Sequence, residues 1–222
     1  MTMANKGFKK QLFTQFSLIA KSLSNGHRLE LLELLAQGDR SVEDLAKVSG
    51  LSVANTSQHL QSLRRCGLLS TRTEGHHVFY RLSDYRIMEI IGSIQRIAHQ
   101  NLGAIDQLVT TYLTSKDDLQ PMSREELLEK ARKGLITVVD VRPEEEYQAG
   151  HLPNAINIQL SRLKEELDRI PGDKQVIAYC RGPFCVLAFD AVEKLRSLGY
   201  EARRLEDGFP EWKLEGLPVE ND

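Results

Sequence analysis

The sequence predicts two domains: a mainly α domain that closes with a β-hairpin and a long helix, then a small α/β domain with a mostly parallel sheet. Three observations predict this. Apolar residues recur at helical spacing through the first sixty or so positions, whereas beyond residue 135 short apolar runs alternate with amphipathic stretches, the pattern of βαβ units. The length of 222 residues suits two small domains or one large one. Charge also divides along the chain: residues 1–113 hold 13 Lys and Arg against 9 Asp and Glu, and the remainder holds 16 against 22. A polyanionic partner therefore belongs with the first half, which also carries five of the six histidines.

The elements follow in order. Phe8, Leu12, Phe13, Phe16, Ile19, Ala20 and Leu23 share one face of a first helix, which Asn25-Gly26 interrupts before a second over 27–36. Ser41, with Asp44 three residues on, caps a short helix ending near Gly50. Ser52 caps the next, VANTSQHLQSLRRC, which Gly67 closes. Residues 68–73 and 77–82 flank Glu74-Gly75-His76 as a hairpin. Residues 84–113 read as one long helix whose stripe, including Ile87, Ile90, Ile91, Ile94 and Ile97, needs a partner, most simply the same helix of a second copy. Residues 114–122, polar with one proline, read as a linker. Ser123 and Glu126 form a capping box for a helix ending at Gly134. Strands are expected at 135–141, 155–158, 175–180 and 201–205, and helices at 160–170, 184–198 and 207–215.

Two short helices and then a hairpin are the order of a winged helix-turn-helix. Ser52, Asn55, Thr56, Ser57, Gln58 and His59 are expected to face bases and phosphates from the start of the second helix. The Asn55 and Gln58 amides suit adenine edges. Arg64, Arg65, Arg72 and His76 or His77 add backbone contacts from helix end and wing. A solvated polar face, or a winged helix used for protein contacts, are the alternatives. LSVANTSQHLQSLRRCGLL closely resembles the ArsR/SmtB family of dimeric repressors, over roughly residues 8–113. Metal sensing, frequent in that family, is not expected: the bracing helix lacks cysteine, and Asp84, Glu89, His99 and Asp106 lack ligand spacing. His99 reads as a polar-face or dimer-contact residue, and Cys66 as a small apolar packing residue.

In the second half, the strand QVIAYC ends at Cys180, and Arg181-Gly182-Pro183 lead into a helix starting near Phe184 or Cys185. Glycine lets the backbone curl and proline is preset for a first helical turn. Loop N–H groups and the helix dipole are expected to stabilise a thiolate or persulfide anion on Cys180. VVDVRPEEEYQAGHLPNAINI, YCRGPFC, the helix after it and LEDGFPEWKLEGLPV look like a rhodanese-like (sulfurtransferase) domain over about residues 123–222. The resemblance implies a nucleophilic Cys180 that accepts sulfane sulfur. Asp140 and Arg142 match its D-x-R strand end, read as an ion pair bracing the loop; Glu146, Tyr147, Gly150 and His151 match its E-[YF]-x-x-G-H turn, read as structural. Trp212 packs the C-terminal helix. Where thiosulfate-using members carry a basic residue, this chain has Cys185. Weak thiosulfate turnover is expected, and the second thiol suggests an attacking and resolving pair, against a buried small residue as the alternative.

Composition sets outer limits. With 41% hydrophobic and 27% charged residues the chain is globular rather than disordered. No apolar run approaches the roughly 18–20 residues of a membrane helix. MTMANKGFKKQLFTQF lacks the apolar centre of a secretory signal, so a cytoplasmic protein is expected. Three cysteines are too few for a disulfide scaffold. The expected organisation is thus a DNA-binding and dimerisation domain over 1–113, a linker over 114–122 and a rhodanese-like domain over 123–222. The expected function is a homodimeric transcriptional regulator, in repressor mode, that senses sulfane sulfur or another thiol-reactive signal through Cys180 and Cys185. Two alternatives stand beside it: an active sulfurtransferase with a Cys180 persulfide, and an oxyanion-sensing regulator. Expected partners are operator DNA with an imperfect palindrome, a second copy, and a small sulfur donor or oxyanion; no membrane, cofactor or metal is expected.

Overall fold

A computed structural model of the chain describes residues 3–114 and 120–221. Packing divides the chain into two units, one up to Met88 and the other from Glu89.

The first unit opens with α1 (Met3–Leu23) and α2 (Gly26–Ala36), the latter capped by the Asn25 side chain. Burial of Leu31, Leu32, Leu34 and Leu35 makes α2 the centre of this core. The two-residue strand β1 (Arg40–Ser41) leads into α3 (Val42–Ser49), where the Ser41 hydroxyl accepts the Asp44 N–H. Gly50 ends α3 in the left-handed conformation, φ 71°, and lets the chain turn into α4 (Val53–Arg65). Strands β2 (Leu69–Glu74) and β3 (His77–Leu82) form the hairpin, with Gly75-His76 as its loop. Strand β1, which the sequence pattern is too short to reveal, pairs with the other edge of β3.

The helix expected over 84–113 is broken. It runs as α5 (Ile87–Asn101), then α6 (Gly103–Val109) and a wide π-type turn, Thr110–Thr114. Leu102 takes an extended conformation at the joint, followed by Gly103, a poor helix former. His99 and Asp106 face each other across the break at 3.1 Å. On α5, Ile87, Met88 and Ile91 are buried, whereas Ile90, Ile94 and Ile97 are exposed. The division into units falls early in α5.

The α/β fold of the second unit takes in residues that precede its helix α7. Residues 120–122, assigned to the linker from sequence, are part of its fold: Met122 is fully buried and bridges to Leu205, and Arg203 donates to the Gln120 and Pro121 carbonyls. Helix α7 (Arg124–Arg132) starts at Ser123, whose hydroxyl accepts the Glu126 N–H. The Glu126 carboxylate does not return to complete the box; it pairs with Lys130 and Arg203. Four parallel strands form the sheet in the order β5 (Ile156–Asn157), β4 (Ile136–Asp140), β6 (Gln175–Tyr179), β7 (Ala202–Arg204). All five residues of β4 are buried, as a central strand covered on both faces requires. Val139, Val176, Ala178 and Cys180 face one layer, with α9 (Val186–Ser197). Val138, Ile177 and Tyr179 face the other, with α7 and α10 (Phe209–Leu214). The one-turn helix α8 (Glu144–Gln148) follows β4. The helix expected over 160–170 is replaced by two 3₁₀ turns, Leu160–Arg162 and Leu167–Arg169. Leu163 and Ile170, the buried anchors, reach the sheet from separate turns. Trp212 is buried and donates its indole N–H to the Pro218 carbonyl.

Candidate functional site

Two constellations carry chemistry, one in each unit. In the first, α4 divides by side. Thr56, Leu60 and Leu63 point into the core, while Asn55, Gln58, Gln61, Arg64 and Arg65 are exposed. Ser52 is exposed and caps the helix through Asn55 N–H, and Ser57 lies half-buried beside Gln61. The structure corrects one expected DNA contact, Thr56, and gives two others, His59 and Arg72, neighbours within the fold. Thr56 is fully buried and its hydroxyl donates to the Ser52 carbonyl at 3.0 Å, so it holds the helix start and does not face outward. His59 is half-buried near His27; burial, then the neighbouring His27 and Arg28, lower its pKa and favour the neutral ring. Arg72 is gripped by Asp39 at 2.6 Å and Glu74 at 2.5 Å and lies over the Phe79 ring, so a phosphate must compete with two carboxylates for it. His76 is exposed in the hairpin loop and His77 beside it. Gln61, not picked out from sequence, is exposed one turn after Gln58; their i,i+3 spacing was the signal for it. Cys66 caps the C-terminus of α4, half-buried, with its thiol toward the Leu18 carbonyl at 3.9 Å.

The second constellation lies at the carboxyl ends of β4 and β6, where parallel sheets present ligand sites. Asp140 and Arg142 are both fully buried and joined at 2.6 Å, with Arg142 also donating to the Gly150 carbonyl at 2.7 Å. The Tyr179 hydroxyl donates to Asp140 and accepts from Leu152 N–H. Arg142 stacks over Phe209 at 4.3 Å; although burial opposes its charge, Asp140 keeps its pKa above the ordinary value. Burial, helped by Asp140, pushes the Tyr179 phenol well above its usual range. This network fixes the strand ends from which the loop departs. His151, buried and stacked on the Tyr147 ring at 3.7 Å, holds the adjoining turn.

The loop itself runs Cys180, Arg181, Gly182, Pro183, Phe184, Cys185. Cys180 is buried in the sheet core, its carbonyl accepting Phe209 N–H, while Cys185 is half-buried at the N-cap of α9. The structure joins the two in a disulfide, with Cα atoms 6.2 Å apart, inside the ordinary range of such bonds. The sulfur expected to face loop N–H groups is thus bonded to Cys185. Pro183 lies in the loop, and α9 begins at Val186, just after the expected start near Phe184 or Cys185. The Arg181 guanidinium grips the buried Glu146 carboxylate in a two-pronged pair, 2.7 Å at the shorter contact. Phe184 is exposed with its ring edge-on to His99, centroids 5.9 Å apart.

Gly208 escaped the sequence reading. A Cβ there would lie 2.2 Å from the Gly182 nitrogen and 2.4 Å from its Cα, so the loop rests directly on this glycine. Its N–H donates to the half-buried Glu211 carboxylate, whose pKa burial raises. No local pattern betrays such a contact between positions 26 residues apart. Among the described residues no group of three or more His, Cys, Asp and Glu is arranged to hold a metal. Nor is any described helix long and apolar enough to cross a membrane.

Comparison with known proteins matches residues 25–71 to the bacterial regulatory protein, arsR family, and residues 123–215 to the rhodanese-like domain. The HTH-type transcriptional regulator Rv0324 of Mycobacterium tuberculosis is 42% identical over 212 residues, which cover 96% of this chain and 93% of that protein. The transcriptional activator HlyU of Vibrio cholerae is 38% identical over 80 residues, 36% of this chain and 74% of its own length. Among solved structures, the homodimeric winged helix-turn-helix DNA-binding domain of a possible ArsR-family regulator from Mycobacterium bovis is 36% identical, covering 42% of this chain and 87% of its own, with a TM-score of 0.40.

Proposed function

Because the chain belongs to the ArsR family of bacterial DNA-binding transcriptional regulators and carries a rhodanese-like domain, we propose that it acts as a homodimer on operator DNA and answers to sulfane sulfur through Cys180 and Cys185. In this reading the DNA-binding and dimerisation segment extends to residue 113 and the sensor begins at residue 120. The observation that carries it is the pairing of Cys180 with Cys185 on the strand-to-helix turn of a rhodanese-like domain. The reduced Cys180 thiolate attacks the outer sulfur of a polysulfide; the donor's S–S bond breaks, leaving a persulfide on Cys180 and a shortened donor. The Cys185 thiolate then attacks Cys180 Sγ and expels hydrosulfide, which closes the disulfide. The Arg181–Glu146 pair favours sensing over thiosulfate turnover, because the loop's own cation is already held by a carboxylate. A tenfold loss of operator affinity asks for only about 1.4 kcal/mol of difference between the two loop states.

Operator binding by the full chain, before and after polysulfide, tests the reading alongside mass spectrometry of the thiols. Cys180→Ser is expected to bind DNA and lose the response, and Cys185→Ser to stop at a Cys180 persulfide. Cys66→Ser is expected to respond like the parent. A Cys180→Ser protein that still releases DNA on polysulfide treatment would falsify the reading. Rapid steady-state turnover of thiosulfate with cyanide would instead establish a working sulfurtransferase.

A further inference from the structure

We infer that the Cys180–Cys185 disulfide is a substrate for a protein dithiol of the Cys-x-x-Cys class, which docks on the apolar rim of the loop and attacks Cys185. The inference deepens the sensing reading and rests on it only for its biological use; the exchange step itself needs no more than the disulfide.

Access decides which sulfur is attacked. Cys180 is 1% exposed, packed among Val139, Ala178 and Ala188 in the sheet core. Cys185 is half-buried and opens the helix α9. Its two chain neighbours on the surface are apolar: Phe184 is 39% exposed and Val186 45% exposed. A sulfur set between two exposed apolar side chains suits the apolar surface around a protein's reactive cysteine. It does not suit glutathione, an anionic tripeptide that needs cations to hold its carboxylates. The loop brings one cation, Arg181, and Glu146 already holds it at 2.7 Å.

The chemistry balances in two displacements. The partner's first thiolate attacks Cys185 Sγ; the Cys180–Cys185 bond breaks, and Cys180 leaves as a thiolate with the bonding pair. The partner's second thiolate attacks its own sulfur in the mixed disulfide and expels Cys185 as a thiolate, which takes a proton from water. Two electrons pass from the partner, now a disulfide, to the cysteine pair. Sulfur loading of Cys180 follows this step, since a sulfur already bonded to Cys185 accepts no sulfane sulfur.

The full chain, oxidised with diamide, is treated with reduced thioredoxin or with glutathione at equal thiol concentration, and free thiols are counted by alkylation and mass spectrometry. Thioredoxin is expected to open the pair about tenfold faster or more, the scale of one buried apolar side chain. A thioredoxin lacking its second active-site cysteine is expected to be trapped on Cys185. Val186→Asp and, separately, Phe184→Ser are expected to slow thioredoxin while reduction by dithiothreitol keeps the parent rate. Trapping on Cys180 overturns the inference, as do equal rates with glutathione, thioredoxin rates unchanged in both variants, or a pair that diamide does not close. The sensing reading fails by a different result: a fully reduced chain whose operator binding ignores polysulfide.

Discussion

A Cβ at Gly208 would sit 2.2 Å from the Gly182 nitrogen and 2.6 Å from the Arg181 carbonyl carbon, both backbone atoms that no rotamer change can move aside. Gly208→Ala must therefore push the cysteine loop off its seat, and overpacking of this kind costs about 1–3 kcal/mol. Trp212 is the chain's one tryptophan and is buried in the second unit, so its fluorescence reports the unfolding of that unit in urea. An alanine variant as stable as the parent would show that the loop does not depend on this contact. Three positions on, Glu211 gives a pH test. Burial raises its pKa above the ordinary 4.5, despite the hydrogen bonds from backbone N–H groups, among them that of Gly208. A carboxyl with a raised folded-state pKa contributes stability below its unfolded pKa and loses that contribution as pH rises through the folded value. At neutral pH the partly desolvated charge is thus a cost, one that Glu211→Gln removes while keeping an acceptor for Gly208. The variant is expected to be more stable than the parent at pH 7, with the advantage shrinking toward pH 4.5 and below. Asp207, shifted the same way by its own burial, is common to both proteins. A difference that stays constant with pH would assign the shift elsewhere.

Among the elements, α4 has an outer side that predicts a division of labour. Gln58 is exposed opposite the buried Thr56, Leu60 and Leu63, and in the proposed operator complex its amide would face a base edge in the major groove. Gln58→Ala is expected to reduce discrimination between operator and mismatched DNA by about 1–3 kcal/mol, measured by anisotropy on both duplexes. An equal loss on both duplexes would make Gln58 a backbone contact. Thr56→Ala is expected to act on stability, because its hydroxyl bonds the Ser52 carbonyl inside the fold. Helices with a cap and a clear face, such as α3 and α7, were legible because Ser41 and Ser123 mark their starts. The break at Leu102 was not, since Leu102, Ile105 and Leu108 continue an apolar spacing across it. Leu160, Leu163, Leu167 and Ile170 likewise fit a helix, yet each pair anchors a separate 3₁₀ turn on the sheet. Met122 follows a proline alone, so no period announced its burial. At the cysteine loop, the strand-to-helix turn singled out Cys180 and the rhodanese-like resemblance singled out Cys185, whereas the grip of Glu146 on Arg181 depends on a fold that brings positions 35 residues apart together.

At the scale of the molecule, operator recognition and assembly are one question. Helix α4 has 13 residues and at about 1.5 Å per residue spans roughly 20 Å. Half-sites on successive turns of one DNA face lie roughly 34–36 Å apart, so one copy reads one half-site and a palindrome needs two. The surface that joins two copies is best sought on α5, where Ile90, Ile94 and Ile97 recur at i, i+4 and i+7 and are 42%, 37% and 61% exposed. A stripe of three isoleucines in water is the kind of face that a second copy covers. Ile94→Asp and Ile97→Asp each place a carboxylate with no partner in that contact, and desolvating it opposes association. Light scattering is expected to give a dimer for the parent and a monomer for each variant, with operator affinity falling in step because one half-site alone remains bound. Ile87, Met88 and Ile91 carry the burial on this helix, so the variants are expected to keep the parent's circular dichroism. A double variant that stays dimeric would move the contact off α5, to the exposed Phe8, Phe13 and Phe16 of α1.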